Sequence, residues 1–133
     1  MVRVKVCGVT TREDLRAVER AGADAIGFIA DVPVDTPRAV SLDDAATLVD
    51  AAPPFLTTVL VTMPDSGVEA AAAVDAVGPD ALQVHGDLPP AELRSLRESV
   101  PATVIAVVDA ADPARARAVA PTVDAVLMDS VDE

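Results

Sequence analysis

Short runs of β-branched and aliphatic residues alternate along this chain with longer, alanine-rich stretches of helical pattern. Val2 to Cys7 reads as a strand, with Val2, Val4 and Val6 on one face because strand side chains alternate. Thr10 or Thr11 then caps a helix whose first turn carries Glu13 and Asp14, where the helix dipole favours acids. That helix ends near Gly22, and Ala25 to Ile29 forms the second strand. A loop holding Pro33 and Pro37 leads to Ser41, the cap of a helix that carries Asp43 and Asp44 and stops at Pro53-Pro54. Leu56 to Val61 is the third strand, and a helix from Ser66 to Val77 ends at Gly78-Pro79. Ala81 to Val84 is the fourth strand. Pro89 and Pro90 open the next helix, where proline is tolerated. Thr103 to Val108 is the fifth strand, Asp112-Pro113 starts a helix closed by Pro121, and Ala125 to Met128 is the sixth strand.

The order is therefore strand then helix five times, then a strand, with strand ends spaced by roughly 20 to 30 residues, as successive βα units require. A weak repeat accompanies it. Asp24-Ala25-Ile26, Asp80-Ala81-Leu82 and Asp124-Ala125-Val126 each turn a helix end into a buried strand. No linker or low-complexity segment interrupts residues 1–133, which read as a single domain. Strict βα alternation leaves two architectures, a doubly wound open sheet or a closed barrel.

Composition narrows the picture. Hydrophobic residues make up 51% of the 133 residues and aromatics only 2%, so the core must be built from Val, Ala, Leu and Ile. Such side chains suit strands covered by helices. The length falls well short of the roughly 250 residues of a complete eightfold barrel. The net charge of −12, with Lys5 the only lysine, argues against nucleic acid or an anionic membrane as partner. It fits either a mildly acidic cytoplasmic protein or a surface adapted to high salt, and the near-absence of lysine favours the second. One cysteine excludes an internal disulfide and a Cys-rich zinc site. The start has no secretory pattern and no apolar run reaches about 20 residues, so a cytoplasmic location is expected.

Side-chain parity points to chemistry. In the first strand Lys5 and Cys7 oppose the valine face, which should meet the helices. In the fourth strand Gln83 and His85 oppose Leu82 and Val84, and in the sixth Leu127 and Asp129 oppose Val126 and Met128. In a barrel this parity aims Cys7, His85 and Asp129 inward at strand C-termini, where barrel enzymes place catalytic groups. Each has a plainer reading. A lone Cys is usually a small buried hydrophobe, His85 before Gly86 suits a turn, Arg38 suits a surface, and an Asp at a strand end often caps a turn. Asp109 occupies such a place after the fifth strand. Convergence on one rim favours the functional reading.

A family resemblance runs through the same residues. Lys5-Val6-Cys7-Gly8-Val9-Thr10 resembles the opening strand of phosphoribosylanthranilate isomerases, and Ala21 to Phe28 is similar to their second-strand approach. Pro37-Arg38, Ser41, Gln83-Val84-His85-Gly86 and Leu127-Met128-Asp129-Ser130 resemble further family segments, in family order. The stretch from Ala30 to Thr36 departs from it, and the family's later Gly-rich segments are absent. The resemblance implies a partial (β/α)8 TIM barrel of six parallel strands and five helices, lacking the last two βα units. It implies an Amadori rearrangement of N-(5-phosphoribosyl)anthranilate to its 1-deoxyribulose isomer, in tryptophan biosynthesis, with no metal or organic cofactor. Asp129 matches the family's acid and Cys7 its base. Arg38 matches the residue expected to pair with the anthranilate carboxylate, and Gln83 and His85 would line the site. A thiol is only a few per cent ionised at neutral pH, and a cation such as Lys5 on the same face favours the thiolate.

In barrels the last loops often bind phosphate, so the 133-residue chain alone is expected to have little activity. Three rivals stand beside this reading: another phosphosugar barrel enzyme, a receiver-like signalling domain, and a non-catalytic partial barrel that self-associates through open sheet edges. Cys7-Gly8 and the Gln83 to Gly86 segment speak against the first. A receiver needs acids at the end of the first strand and a late lysine, and this chain has neither.

Overall fold

The computed structural model describes residues 1–130. Strands and helices alternate as β1 (Lys5–Cys7), α1 (Arg12–Arg20), β2 (Ala25–Ala30), β3 (Ala39–Val40), α2 (Leu42–Ala51), β4 (Thr57–Thr62), α3 (Gly67–Val77), β5 (Ala81–Val84), α4 (Pro90–Ser99), β6 (Thr103–Asp109), α5 (Pro113–Val119) and β7 (Ala125–Asp129). A turn of 3₁₀ helix at Ala120–Thr122 contains Pro121 and joins α5 to β7. The strands run parallel in the order β1-β2-β4-β5-β6-β7. Apart from the two-residue β3, this is the expected succession of six strands and five helices, in the partial barrel form.

The helices begin where local chemistry says they should. Thr11, Ser41 and Ser66 accept the amides of Asp14, Asp44 and Glu69 at 3.1, 3.0 and 3.1 Å. Asp112 caps α5 through the Arg115 amide at 3.0 Å. Each such bond satisfies a donor that the helix itself leaves free. The repeated aspartates do a related job one level up. Asp80 and Asp124, just before β5 and β7, accept the amides of Thr58 and Val104 in the preceding strands, both at 2.9 Å. Asp24, before β2, accepts the amide of Val4 just ahead of β1.

Parity divides the core into two layers. Ile26, Phe28, Leu60, Leu82 and Val104 point outward and are fully buried against Leu15, Leu93 and the other helix residues. Val59, Val61 and Ala81 point inward with Ala25, Ile29 and Ile105 and form a smaller cluster on the other face.

Two expectations need correction. The first strand begins at Lys5 rather than Val2, and of its valines only Val6 packs against the core. Val2 and Val4 are 85% and 51% exposed, because among the described residues β1 is an edge strand paired only with β2. The loop before α2 also contains the short strand β3, paired with Ile29 and Ala30. Ile29 pairs with β4 on its other side, so β3 extends the sheet on the β1 side, just past the end of β1. None of the helices among the described residues is long and apolar enough to cross a membrane.

Candidate functional site at the C-terminal rim

β1 delivers Cys7 to the rim, where its side chain is exposed. Two glycines make room for it. A Cβ on Gly27, its register partner on β2, would stand 3.0 Å from the Cys7 sulfur. Gly8 turns the chain away at φ +86° and donates its amide to the Gly27 carbonyl at 3.0 Å. That left-handed conformation favours glycine. The Arg38 stem lies directly on Gly8, since a Cβ there would sit 3.1 Å from Arg38 Cδ. Arg38 is held just ahead of β3, its amide donating to Thr36 Oγ1 at 3.2 Å. The extra strand thus brings Arg38 beside the Cys7-Gly8 corner.

Below the rim, Lys5 Nζ donates to Gln83 Oε1. β1 and β5 are three strands apart in the sheet order. At about 4.8 Å per strand a flat sheet would separate them by about 14 Å, so the two side chains meet because the sheet curls and both reach across its concave face. Gln83 is buried, at 7% exposure.

His85 follows β5 and continues its ladder, its amide donating to the Thr62 carbonyl at 2.9 Å. Its half-buried side chain lines a pocket of about 490 Å³ with Arg38, Ile29, Val61 and Met63. The pocket is mostly apolar-walled with one cation at its edge.

Asp129 ends β7 and is exposed, with Oδ1 accepting the Ser130 amide at 2.8 Å. Its register partner on β6 is Asp109, which accepts the Ala111 amide at 2.9 Å and so caps its own turn. Cys7, Arg38, Gln83 and His85 therefore gather around one side of the concave face. Asp129 stands on the opposite edge strand, which does not pair with β1. Among the described residues no three His, Cys, Asp or Glu side chains converge to hold a metal ion. Sequence reasoning missed the steric roles of Gly8 and Gly27 and the side-by-side register of Asp109 and Asp129. The Gly8 role had a signal, a glycine directly after the candidate cysteine.

The sequence profile of the N-(5'phosphoribosyl)anthranilate (PRA) isomerase family matches residues 4–132. The chain belongs to this family. An N-(5'-phosphoribosyl)anthranilate isomerase of Haloferax volcanii is 58% identical over 130 residues, which are 98% of this chain and 58% of that protein. One from Halorubrum lacusprofundi is 48% identical and is covered to 62% by the whole of this chain. The chain thus spans about three-fifths of the length of these PRA isomerases. Among solved structures, phosphoribosyl anthranilate isomerase from Thermotoga maritima superposes with a TM-score of 0.87 at 31% identity, over 100% of this chain and 63% of that one. Another phosphoribosyl anthranilate isomerase, solved in complex with reduced 1-(o-carboxyphenylamino)-1-deoxyribulose 5-phosphate, has a TM-score of 0.85 at 32% identity, over 99% of this chain and 66% of that one.

Proposed function

We propose that the protein is an intramolecular oxidoreductase of tryptophan biosynthesis. It would convert N-(5-phosphoribosyl)anthranilate into 1-(o-carboxyphenylamino)-1-deoxyribulose 5-phosphate. The observation that carries this reading is the corner where Arg38 lies on Gly8 beside the exposed Cys7, next to an apolar-walled pocket, in a chain of this family. Ile29, Val61 and Met63 suit the anthranilate ring, and Arg38 suits its carboxylate, to which a guanidinium offers two donors at once.

In this mechanism Asp129 protonates the furanose ring oxygen. The C1–O bond breaks as the nitrogen lone pair forms a C=N bond, giving an iminium. The Cys7 thiolate then removes the C2 proton, the C–H pair forms the C1=C2 bond as the C=N pair returns to nitrogen, and the resulting enolamine tautomerises to the ketone. Lys5, on the face of Cys7, supplies positive charge near the thiolate. His85 and Gln83 line the reaction space. The acid and base act together only if β7 is carried round toward β1. We assign that closure, and the phosphate contacts, to length that the family relatives have beyond these residues. The acidic composition supports an enzyme working in concentrated salt.

Calorimetric titration of the reduced product analogue tests the reading. The 133-residue chain should bind it weakly and turn over negligible substrate. A chain extended to the length of its relatives should bind tightly, and Arg38→Met should weaken that binding at least tenfold. An extended chain that ignores the analogue would overturn the proposal.

A second reading is self-association. Among the described residues β1 and β7 each pair on one side only, and Val4 and Met128 beside those edges are 51% and 48% exposed. Unpaired strand edges recruit other strands. Sedimentation of the 133-residue chain should show concentration-dependent oligomers, and a monomer at all concentrations would remove this reading.

A further inference from the structure

The first turns of the helices follow one rule with one exception. The third helical position is Asp14 in α1, Asp44 in α2, Glu69 in α3 and Glu92 in α4. All are acids, as the positive end of a helix dipole favours. In α5 the same position is Arg115, and the acid at this helix end is the cap Asp112, whose carboxylate accepts the Arg115 amide at 3.0 Å. A cation is electrostatically misplaced there, so its side chain needs a compensating partner. In a chain with 22 acidic residues that partner would ordinarily be a carboxylate. It is not one here. The ion pairs among the described residues are Arg16 with Glu19 and Arg97 with Asp124. Arg115 instead sends Nη2 across to the turn after β5, donating to the Leu88 carbonyl at 2.7 Å and lying 3.5 Å from the Gly86 carbonyl.

That turn carries His85. One end is fixed by the ladder bond from the His85 amide to Thr62. Gly86 then adopts φ +124°, which glycine reaches readily, and as the most conformationally free residue it does little by itself to fix the turn. Asp87 is exposed and Leu88 is buried at 4%. Between the ladder and the buried leucine, the Arg115 guanidinium is, among the described residues, the side chain that meets these carbonyls.

We propose that Arg115 is a positioning residue: its bond to the Leu88 carbonyl, with the Gly86 carbonyl close beside it, sets the shape of the turn and so holds the His85 imidazole over the pocket it shares with Arg38. The value of that placement to catalysis rests on the isomerase reading above, but the positioning itself does not. Arg115 touches no substrate in this scheme. It acts through the backbone of a neighbouring βα loop, as groups that support a site from outside commonly do.

His85 is the only histidine in the chain, so its imidazole signals in a proton–nitrogen NMR spectrum belong to one known residue. Arg115→Met should move those signals by more than their width and broaden them, as the ring samples several orientations. Arg117→Met removes the same charge two residues along α5 from an exposed position and should leave them in place. Arg115→Lys, which keeps the charge and can reach one carbonyl, should fall between. Imidazole signals in folded Arg115→Met that superpose on those of the unaltered chain would overturn the proposal. If that variant does not fold, nitrogen relaxation of the unaltered chain decides. Gly86 and Asp87 amides as rigid as those of β5, with order parameters of about 0.85, support the clamp, and values below about 0.6 overturn it. Neither measurement needs substrate, so failure of the isomerase reading and failure of this one are separate results.

Discussion

Asp24 and Val4 are joined twice: the Asp24 carboxylate accepts the Val4 amide at 2.7 Å, and the Asp24 amide donates to the Val4 carbonyl at 2.9 Å. The two residues are 20 apart, and the pair closes the β1-α1-β2 unit at its base. Asp124 and Val104 repeat both bonds around α5, each at 2.9 Å. Asp80 and Thr58 make a side-chain version around α3. Every second βα unit is clasped in this way, which gives the Asp repeat a physical meaning.

The clasps should differ in strength. Asp80 Oδ2 accepts both the amide and the hydroxyl of Thr58, at 2.9 and 3.1 Å, and Thr58 is only 4% exposed. Hydrogen bonds to a charged group contribute about 1.5–3 kcal/mol, and losing this one also strands polar groups of Thr58 away from water. Asp80→Ala should therefore lower the unfolding free energy by about 2 kcal/mol or more, and Asp24→Ala, at an exposed site, by less. Urea unfolding of both variants measures this. Equal losses would mean that burial does not set the strength of a clasp.

Stability should rise with salt. The chain carries 22 acidic residues against 10 Lys and Arg, and only two ion pairs form among the described residues. Most carboxylates therefore repel one another across water. At about 1 M salt the Debye length is about 3 Å, and that repulsion is screened. Thermal melts should shift upward steadily from dilute buffer to molar potassium chloride. A melting temperature that stays flat or falls with salt would contradict the reading of the charge.

Gly27 should be hard to replace. An alanine methyl there would meet the Cys7 sulfur at 3.0 Å and the Cys7 Cα at 3.4 Å. The sulfur can rotate away, but the backbone cannot follow without disturbing the β1–β2 ladder. Overpacking of this kind costs about 1–3 kcal/mol. Gly27→Ala should lose stability in that range and change the rate at which the exposed Cys7 reacts with a disulfide reagent. An unchanged rate together with unchanged stability would show that the thiol has more room than its surroundings imply.

The acid and base assignments are tested in a chain extended to family length. Cys7→Ser keeps the size and replaces the thiol with a far weaker acid, and Asp129→Asn keeps the shape but has no acidic proton to give. A general acid or base contributes about 10²- to 10⁴-fold, so each variant should lose that much in kcat while binding of the product analogue changes little. Asp109 already accepts the Ala111 amide, and Asp109→Asn should stay within a few-fold. Near-full kcat in Cys7→Ser would return Cys7 to the role of a small hydrophobe.

What could be read from the chain was whatever is decided over one or two turns. Ser41, Ser66 and Asp112 cap the helices they precede, and the Asp-Ala repeats mark the strand starts. Parity placed Lys5 and Gln83 on one face, and they meet there. Harder to see was anything set by neighbours distant in sequence. β3 has two residues, too few for any periodicity, and exists because Ile29 and Ala30 extend past the end of β1. The exposure of Val2 and Val4 depends on what lies beside an edge strand, which a hydrophobic pattern does not encode. Arg115 reaches carbonyls 27 and 29 residues back, and its letter in the sequence resembles any surface arginine.

The Lys5–Gln83 bond has a consequence for how this protein meets reagents. Lys5 is the only lysine, and its Nζ is held on the concave side of the curled sheet. Acylating reagents, amine crosslinkers and lysine-directed immobilisation therefore meet a single ε-amine, half-buried and engaged with Gln83. Modification of Lys5 would instead report loss of its contact with Gln83, which makes the lone ε-amine an intrinsic reporter of that link across the concave face.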